Sequence, residues 1–572
     1  MIDPTPTEEP PVVASVAVPE AAGAPRKPRV VRRALGFGGL TLAFVFCCLS
    51  FTPSLLPRSW VLQGAISGVT AVIGYGVGAT IGAVVRRFAR WEPGERTRRI
   101  AWWTLLAAGP LAIVISGWFG LEWQRDLRRL MGMDPEVATD GLLIMLVAVV
   151  VFALILFVSR AIRLGTRKLS SSLARFIPKP VAYAFGVVVF ALLVIGFIQG
   201  VVLDRLVAAA NEASSLANEG TTEGITQPTS PQLSGSPQSL IPWHTLGVKG
   251  RDFIGKASTP AELSAFSGRP AQQPVRVYAG LESATGFQAQ AQLAVRDLER
   301  AGGFDRSVLA VIGTTGTGWV DENVPDTLEY MYGGDTAVVA MQYSYLPSWM
   351  SFLVDKSKAT QASTEMINAV RAKWSTLPAA SRPKLVVFGE SLGSYGTETA
   401  FGDLAKLTAE TNGGLLAGPP FSNPIWDGIT TGRDAGSPIW RPVYQQGHTV
   451  RFGQAPADLG SPATPWQSPR LVYLQNATDP IVWWRPRLLF QSPQWLDSPR
   501  GPDVSKDMRW FPFVTFWQVT ADMCFSTGVP SGHGHRYGTN VVDGWAAVLT
   551  PNGWTPADTT RLKQLLDTKN TD

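Results

Sequence analysis

The stretch Lys384-Leu385-Val386-Val387-Phe388-Gly389-Glu390-Ser391-Leu392-Gly393-Ser394-Tyr395 decides the fold. Its first half is a short β-branched and aromatic run of the kind a buried strand uses, and its second half opens a helical pattern. Between them lies Gly-x-Ser-x-Gly, the sequence of a tight strand-to-helix turn in which small residues relieve crowding and a serine hydroxyl is presented at the sheet edge. By itself the pentapeptide is common. Its placement between strand and helix marks Ser391 as a candidate nucleophile, and Leu392, the next residue, as a backbone N–H donor to an oxyanion.

Outward from this point, short apolar runs alternate with amphipathic stretches, the pattern of a mainly parallel sheet with helices on both faces. Strands are expected near 275–280, 307–312, 336–342, 384–388, 414–417 and 470–475. Helices are expected over 288–300, 358–377 and 395–411. An acid and then a histidine should follow the serine in chain order. The run from Arg470 to Pro480 reads as a strand whose loop ends in Asp479, and Asp427 is the alternative acid. Of the four histidines, His244 and His448 precede Asp479, which leaves His533 and His535 in Gly532-His533-Gly534-His535. A neutral imidazole there can take the serine proton and return it to a leaving group, while the acid fixes its tautomer. A helical stretch near 541–549 lies at a more usual distance from His535, so His535 is preferred and His533 remains the alternative. The aromatic stretch 508–523, where a last strand should precede the histidine, also reads as a helix. Two histidines two apart suit a metal, but no further His, Cys or Asp completes a set, so no metal and no cofactor is expected.

The second oxyanion donor should come from the loop after an early strand. Ile312-Gly313-Thr314-Thr315-Gly316-Thr317-Gly318-Trp319 fits, with Thr315 ahead of Thr314 as donor. It lacks the Lys-Ser/Thr ending of a phosphate-binding loop. Trp319, Trp349, Trp426, Trp483 and Trp484 sit in or near these loops and are read first as packing residues, with an acyl-binding cleft as the alternative.

The first 204 residues read differently. The chain has 572 residues, of which only 16% are charged, and the apolar excess lies in this part. Apolar segments near 35–56, 61–85, 101–121, 141–159 and 181–203 each approach the roughly 20 residues needed to cross a bilayer. Basic residues alternate along the connecting loops. They are dense at Arg26–Arg33, in 86–99 and in 160–179, and sparse or diluted by acids in the two other loops. The positive-inside bias then places the N-terminus in the cytoplasm and everything after the fifth span outside. Gly74, Gly78 and Gly82 have the spacing that lets helices approach closely. The net charge of +6 is carried by these loops, so no nucleic-acid partner is expected. Three cysteines, two of them in the first apolar segment, cannot form a disulfide framework. Residues 1–33 read as a disordered cytoplasmic tail, 34–204 as the transmembrane domain, 205–270 as a polar connector and 271–572 as an extracytoplasmic domain.

Together, the multi-span N-terminal region, Thr-Gly-Thr-Gly-Trp319, Gly-Glu-Ser391-Leu-Gly-Ser, Asp479-Pro-Ile-Val-Trp-Trp and Gly-His533-Gly-His535-Arg-Tyr resemble the actinobacterial membrane-anchored α/β-hydrolase family. The resemblance implies an integral membrane protein with serine-hydrolase chemistry at the cell envelope. It further implies a substrate that is an ester of an envelope lipid or acylated glycan. Transfer of the acyl group to an alcohol is the alternative reaction, and a non-catalytic scaffold is the alternative class. Oligomeric state is not legible.

Overall fold

The computed structural model describes residues 35–88, 94–137, 140–173, 204–497 and 499–569. Contacts divide the chain into two units. One comprises 36–156 with 193–572. The other comprises 1–35 with 157–192, and its described part is Leu35 and the end of one long helix.

Seven parallel strands form one sheet in the order β1-β3-β2-β4-β5-β7-β6. They are β1 Val275–Ala279, β2 Val308–Gly313, β3 Thr336–Met341, β4 Lys384–Glu390, β5 Gly413–Ala417, β6 Val450–Gly453 and β7 Arg470–Leu474. β4 sits centrally and delivers Ser391 at its C-terminal end, the edge at which open α/β sheets bind ligands. Apolar side chains on both faces of the strands are buried under helices, which is why these strands read as continuous hydrophobic runs. Six strands coincide with those expected from sequence. β6 does not, because it has four residues and carries Arg451. That buried guanidinium is satisfied by the carbonyls of Gly447, Leu459 and Thr464. No strand occurs at 508–523; the helix Val514–Cys524 takes the place. The expected helix 395–411 is two helices, Leu392–Phe401 and Leu404–Glu410. They are divided at Gly402, whose φ of 82° breaks the turn, and Asp403 caps the second through Lys406 N at 2.8 Å.

The stretch 205–270, expected as a polar connector, is largely built into the fold. Residues 204–219 form a helix. Leu233, Ile241, Leu246, Phe253, Ile254 and Leu263 then join the core around the sheet. The polar residues between them are satisfied by a side chain that sequence pattern alone did not connect to them. Buried Asp297 accepts from Ser234 Oγ, Ser239 Oγ and Leu240 N at 2.8–2.9 Å. Leu233 bridges to Arg276 beside β1.

Among the described residues, three N-terminal helices are long and apolar enough to cross a membrane: α2 Trp60–Phe88, α3 Glu95–Leu130 and α4, over its part Gly141–Thr166. The first expected span is instead the 13-residue α1, Phe37–Leu49, about 20 Å long and too short to cross unaided. Pro53 and Pro57 follow it and bar further helix. The non-helical segment carries Leu55 and Leu56 into the core of the sheet domain, where both are almost fully buried. The expected span 181–203, and the tail 1–33, lie outside the described residues. Glycine contact holds α1 to α2: a Cβ on Gly74 would lie 2.4 Å from Leu42 O, and one on Gly78 2.1 Å from Gly38 O. Gly82 makes no such approach.

Candidate active site

Ser391 stands at φ 53° and ψ −121°, one of four described non-glycine residues with positive φ. Such a conformation costs of order 1–3 kcal/mol and persists only where the surroundings impose it. Here the surroundings are visible. A Cβ on Gly389 would lie 2.5 Å from the Gly393 carbonyl, and one on Gly393 would lie 2.0 Å from Gly313 O on β2. Both flanking glycines are therefore required by close backbone packing. Ser391 N donates to Ala417 O at 2.9 Å, and Ser394 Oγ donates to Ser391 O at 2.7 Å. Leu392 opens the following helix, whose first-turn N–H groups have no acceptor within it and whose dipole favours negative charge.

His535 Nδ1 and Asp479 Oδ2 are 2.6 Å apart, and both groups are buried. Asp479 Oδ1 accepts from Ile481 N at 2.8 Å, and Tyr537 Oη donates to Oδ2 at 2.6 Å. The aspartate thus sits in a fully bonded pocket and orients the ring through Nδ1. His535 Nε2 is buried without a partner. The ring lies against Gly418, where a Cβ would come within 2.4 Å of Cε1. Gly418 adjoins Ala417, the residue that accepts from Ser391 N. Ser391 and His535 accordingly line one cavity of about 910 Å³, together with Thr315, Trp319 and Ile481.

Burial works against the charged imidazole, but the Asp479 charge and hydrogen bond outweigh it, and the His535 pKa is raised from its ordinary 6.5. Two carboxyls absent from the sequence reading share the cavity. Glu390 is pushed up to about 8 by burial and by the nearby Asp321 and Asp479 charges, with His535 opposing. Its Oε2 has no partner. Burial pushes Asp321 up to about 6, against two hydrogen bonds from Asn323. Glu390 stood in plain view as the variable residue of the serine motif; Asp321 and Tyr537 carried no signal until the chain was folded.

His533 is held elsewhere. Its Nδ1 lies 2.7 Å from Asp503 Oδ2, which also accepts from Thr478 Oγ1 and Gln454 Nε2 at 2.8 and 2.9 Å. Gly532 at φ 87° and Gly534 at φ 51° let the chain reverse around it, so the two imidazoles find different carboxylates. The alternative acid Asp427 is half-exposed and lies 3.6 Å from Arg485. His448 is half-buried, with Nδ1 3.0 Å from Pro465 O.

The glycine-threonine loop follows β2, as expected, but Thr315 gives its backbone N–H to Trp319 O at 3.1 Å. Thr314 turns its hydroxyl to Met341 O at 2.8 Å. Thr315 lines the cavity and Thr314 does not. In this conformation the preferred Thr315 N–H is occupied. Trp426 and Trp483 are core residues, Trp319 faces the cavity, and the side chain of Trp349 is outside the described set.

A family model described as "Alpha/beta-hydrolase family" matches residues 275–562, and its companion, "Alpha/beta-hydrolase family N-terminus", matches 51–257. No curated protein and no solved structure matches the chain. The sheet order, the turn at Ser391 and a match over half of the sequence agree, and the chain belongs to the α/β-hydrolase family with that family's N-terminal companion region.

Proposed function

We propose that this protein is a serine hydrolase that cleaves an ester through an acyl-enzyme on Ser391. The observation that carries the reading is the buried His535–Asp479 pair at 2.6 Å, with His535, whose Nε2 has no partner, lining the same cavity as the strained Ser391. In the first step His535 Nε2 takes the Ser391 proton as the hydroxyl attacks the ester carbonyl. Leu392 N–H receives the developing oxyanion, joined by the Thr315 or Thr314 loop after the Thr315–Trp319 hydrogen bond opens. The imidazolium, held by Asp479, then protonates the leaving alcohol. Water attacks the acyl-enzyme with His535 as base, and the acid departs.

The apolar N-terminal helices support membrane anchoring, and the dense basic residues of 86–99 and 160–179 support a cytoplasmic place for those loops with the catalytic domain on the other side. We therefore take the substrate to be an ester of a cell-envelope lipid or acylated glycan. Acyl transfer to a hydroxylated acceptor is the second reading, supported by the polar part of the cavity lining. Lys256, Asp321, Glu322, Asp567 and Lys569 line the cavity and make the kind of charged surface a sugar acceptor would meet.

A fluorophosphonate probe tests the central claim. The purified full-length protein should label at Ser391, and Ser391→Ala should lose both labelling and hydrolysis of a p-nitrophenyl ester, by on the order of 10⁴-fold or more. Undiminished labelling of Ser391→Ala would remove the proposal. Adding a sugar or glycerol acceptor and comparing transfer with acid release separates the two reactions.

A further inference from the structure

A second cavity, of about 450 Å³, lies among α2, α3 and α4. Its walls are mainly apolar, with Phe51, Ile113, Trp118 and Met145 among them. Polar Arg58, Ser59, Gln63 and Gln124 also line it, and Arg58, Gln63 and Gln124 are each more than nine-tenths buried. Most of their hydrogen-bonding groups are engaged. Arg58 Nε reaches Asp522 Oδ1 at 3.3 Å, and Nη1 donates to Ser50 O and Gln63 Oε1 at 3.2 Å. Gln124 Oε1 accepts from Arg58 N at 2.7 Å, which fixes the orientation of the amide, since only its carbonyl end can accept. Two donors are left over. Arg58 Nη2 and Gln124 Nε2 are both buried and have no acceptor.

Buried donors of this kind normally have a partner, because leaving one unsatisfied costs about 1–3 kcal/mol. Charge decides what partner suits them. The Arg58 guanidinium is already balanced by Asp522, also fully buried, so a second carboxylate or a phosphate would bury a net negative charge among apolar helices. A neutral acceptor on an apolar chain satisfies both donors without that penalty.

We propose that this cavity binds a neutral acyl lipid, with Arg58 Nη2 and Gln124 Nε2 donating to an ester carbonyl and the acyl chain occupying the apolar remainder. The site is separate from the cavity of Ser391 and does not require that serine to be catalytic. The two are physically connected, because Asp522 belongs to the helix Val514–Cys524, whose last residues, Met523 and Cys524, line the catalytic cavity. If the hydrolase reading holds, the site is a holding place for substrate between the apolar helices and the serine.

The test uses full-length protein carrying Ser391→Ala, so that no turnover obscures binding, in an uncharged detergent. Radiolabelled dioleoylglycerol is the probe, read by scintillation proximity. Saturable binding is expected, unlabelled dioleoylglycerol should displace it, and ionised oleate should not. Gly117→Leu should weaken binding about tenfold or more by filling the cavity. A Cβ at Gly117 meets only Phe51 Cε1, at 4.0 Å, so the variant should fold. Gln124→Met removes the Nε2 donor without burying a charge and should weaken binding by a similar factor, with a fall in melting temperature limited to the loss of the hydrogen bond from Arg58 N. Equal competition by oleate would overturn the proposal in favour of an anion site. Binding that neither variant weakens, or no saturable binding, would overturn it outright. Loss of fluorophosphonate labelling tests the serine alone, so either reading can fail without the other.

Discussion

Two histidines two residues apart each hold a carboxylate, and only His535 lines the cavity that also holds Ser391. His535–Asp479 and His533–Asp503 have nearly the same Nδ1–Oδ2 distance, 2.6 and 2.7 Å. The difference lies in what each histidine lines and in what stands behind each acid. His535 lines a cavity shared with Ser391 and leaves Nε2 without a partner, and its acid is held by Ile481 N and Tyr537 Oη. The Asp503 carboxylate instead ties three segments together through His533, Thr478 and Gln454. A short His–Asp contact is therefore no evidence of catalysis by itself; nearness to the cavity of the serine separates the two.

The comparison breaks most directly by truncating each ring. His535→Ala should reduce kcat/KM for a p-nitrophenyl ester by on the order of 10⁴-fold with little change in melting temperature, whereas His533→Ala should change kcat/KM by less than about tenfold. The reverse ranking would exchange their roles. The acids sharpen the contrast. Asp479→Asn should lower kcat by roughly 10³–10⁴-fold at nearly constant KM, since the amide favours the wrong imidazole tautomer. Asp503→Ala should chiefly destabilise, by about 1–3 kcal/mol in a denaturant titration, because it strands three donors.

A pH profile probes the surroundings of the reactive pair. Neutral His535 is the base, and its pKa is raised, so the acid limb of kcat/KM should lie above 6.5. Glu390 is neutral below about 8, and its ionisation would put negative charge beside the forming oxyanion. Activity should fall as pH rises through that value, and Glu390→Gln should remove the alkaline limb. The sign for stability follows from the same shift. A carboxyl whose folded pKa is raised favours folding fully below its ordinary 4.5 and loses that advantage as pH rises towards 8. Glu390→Gln should therefore gain melting temperature relative to the parent between about pH 5 and pH 8. The smallest effect is expected at Tyr537→Phe, which removes one of the bonds to Asp479. A loss of about tenfold or less in kcat/KM would be consistent with an orienting role.

Six of seven strands, the serine turn and the order Ser391, Asp479, histidine were legible in the sequence, because each is a local pattern. Strand hydrophobicity, glycine spacing and chain order are written in neighbouring residues and survive without knowledge of the fold. So were the apolar stretches of the three long helices, since length and composition alone allow a crossing.

What only the tertiary structure decided is where residues distant in sequence meet. The connector 205–270 looked too polar to fold because its serines find Asp297, which follows them by more than 50 residues. The first apolar segment looked like a span because its prolines and Leu55–Leu56 gave no hint of a binding place beside the helix Val514–Cys524, some 460 residues later. The choice between His533 and His535 rests on the glycine-permitted reversal at 532–534, which sends two equivalent imidazoles to different carboxylates. Local sequence sets which conformations and chemistries are available; long-range burial and hydrogen bonding decide which side chain receives them.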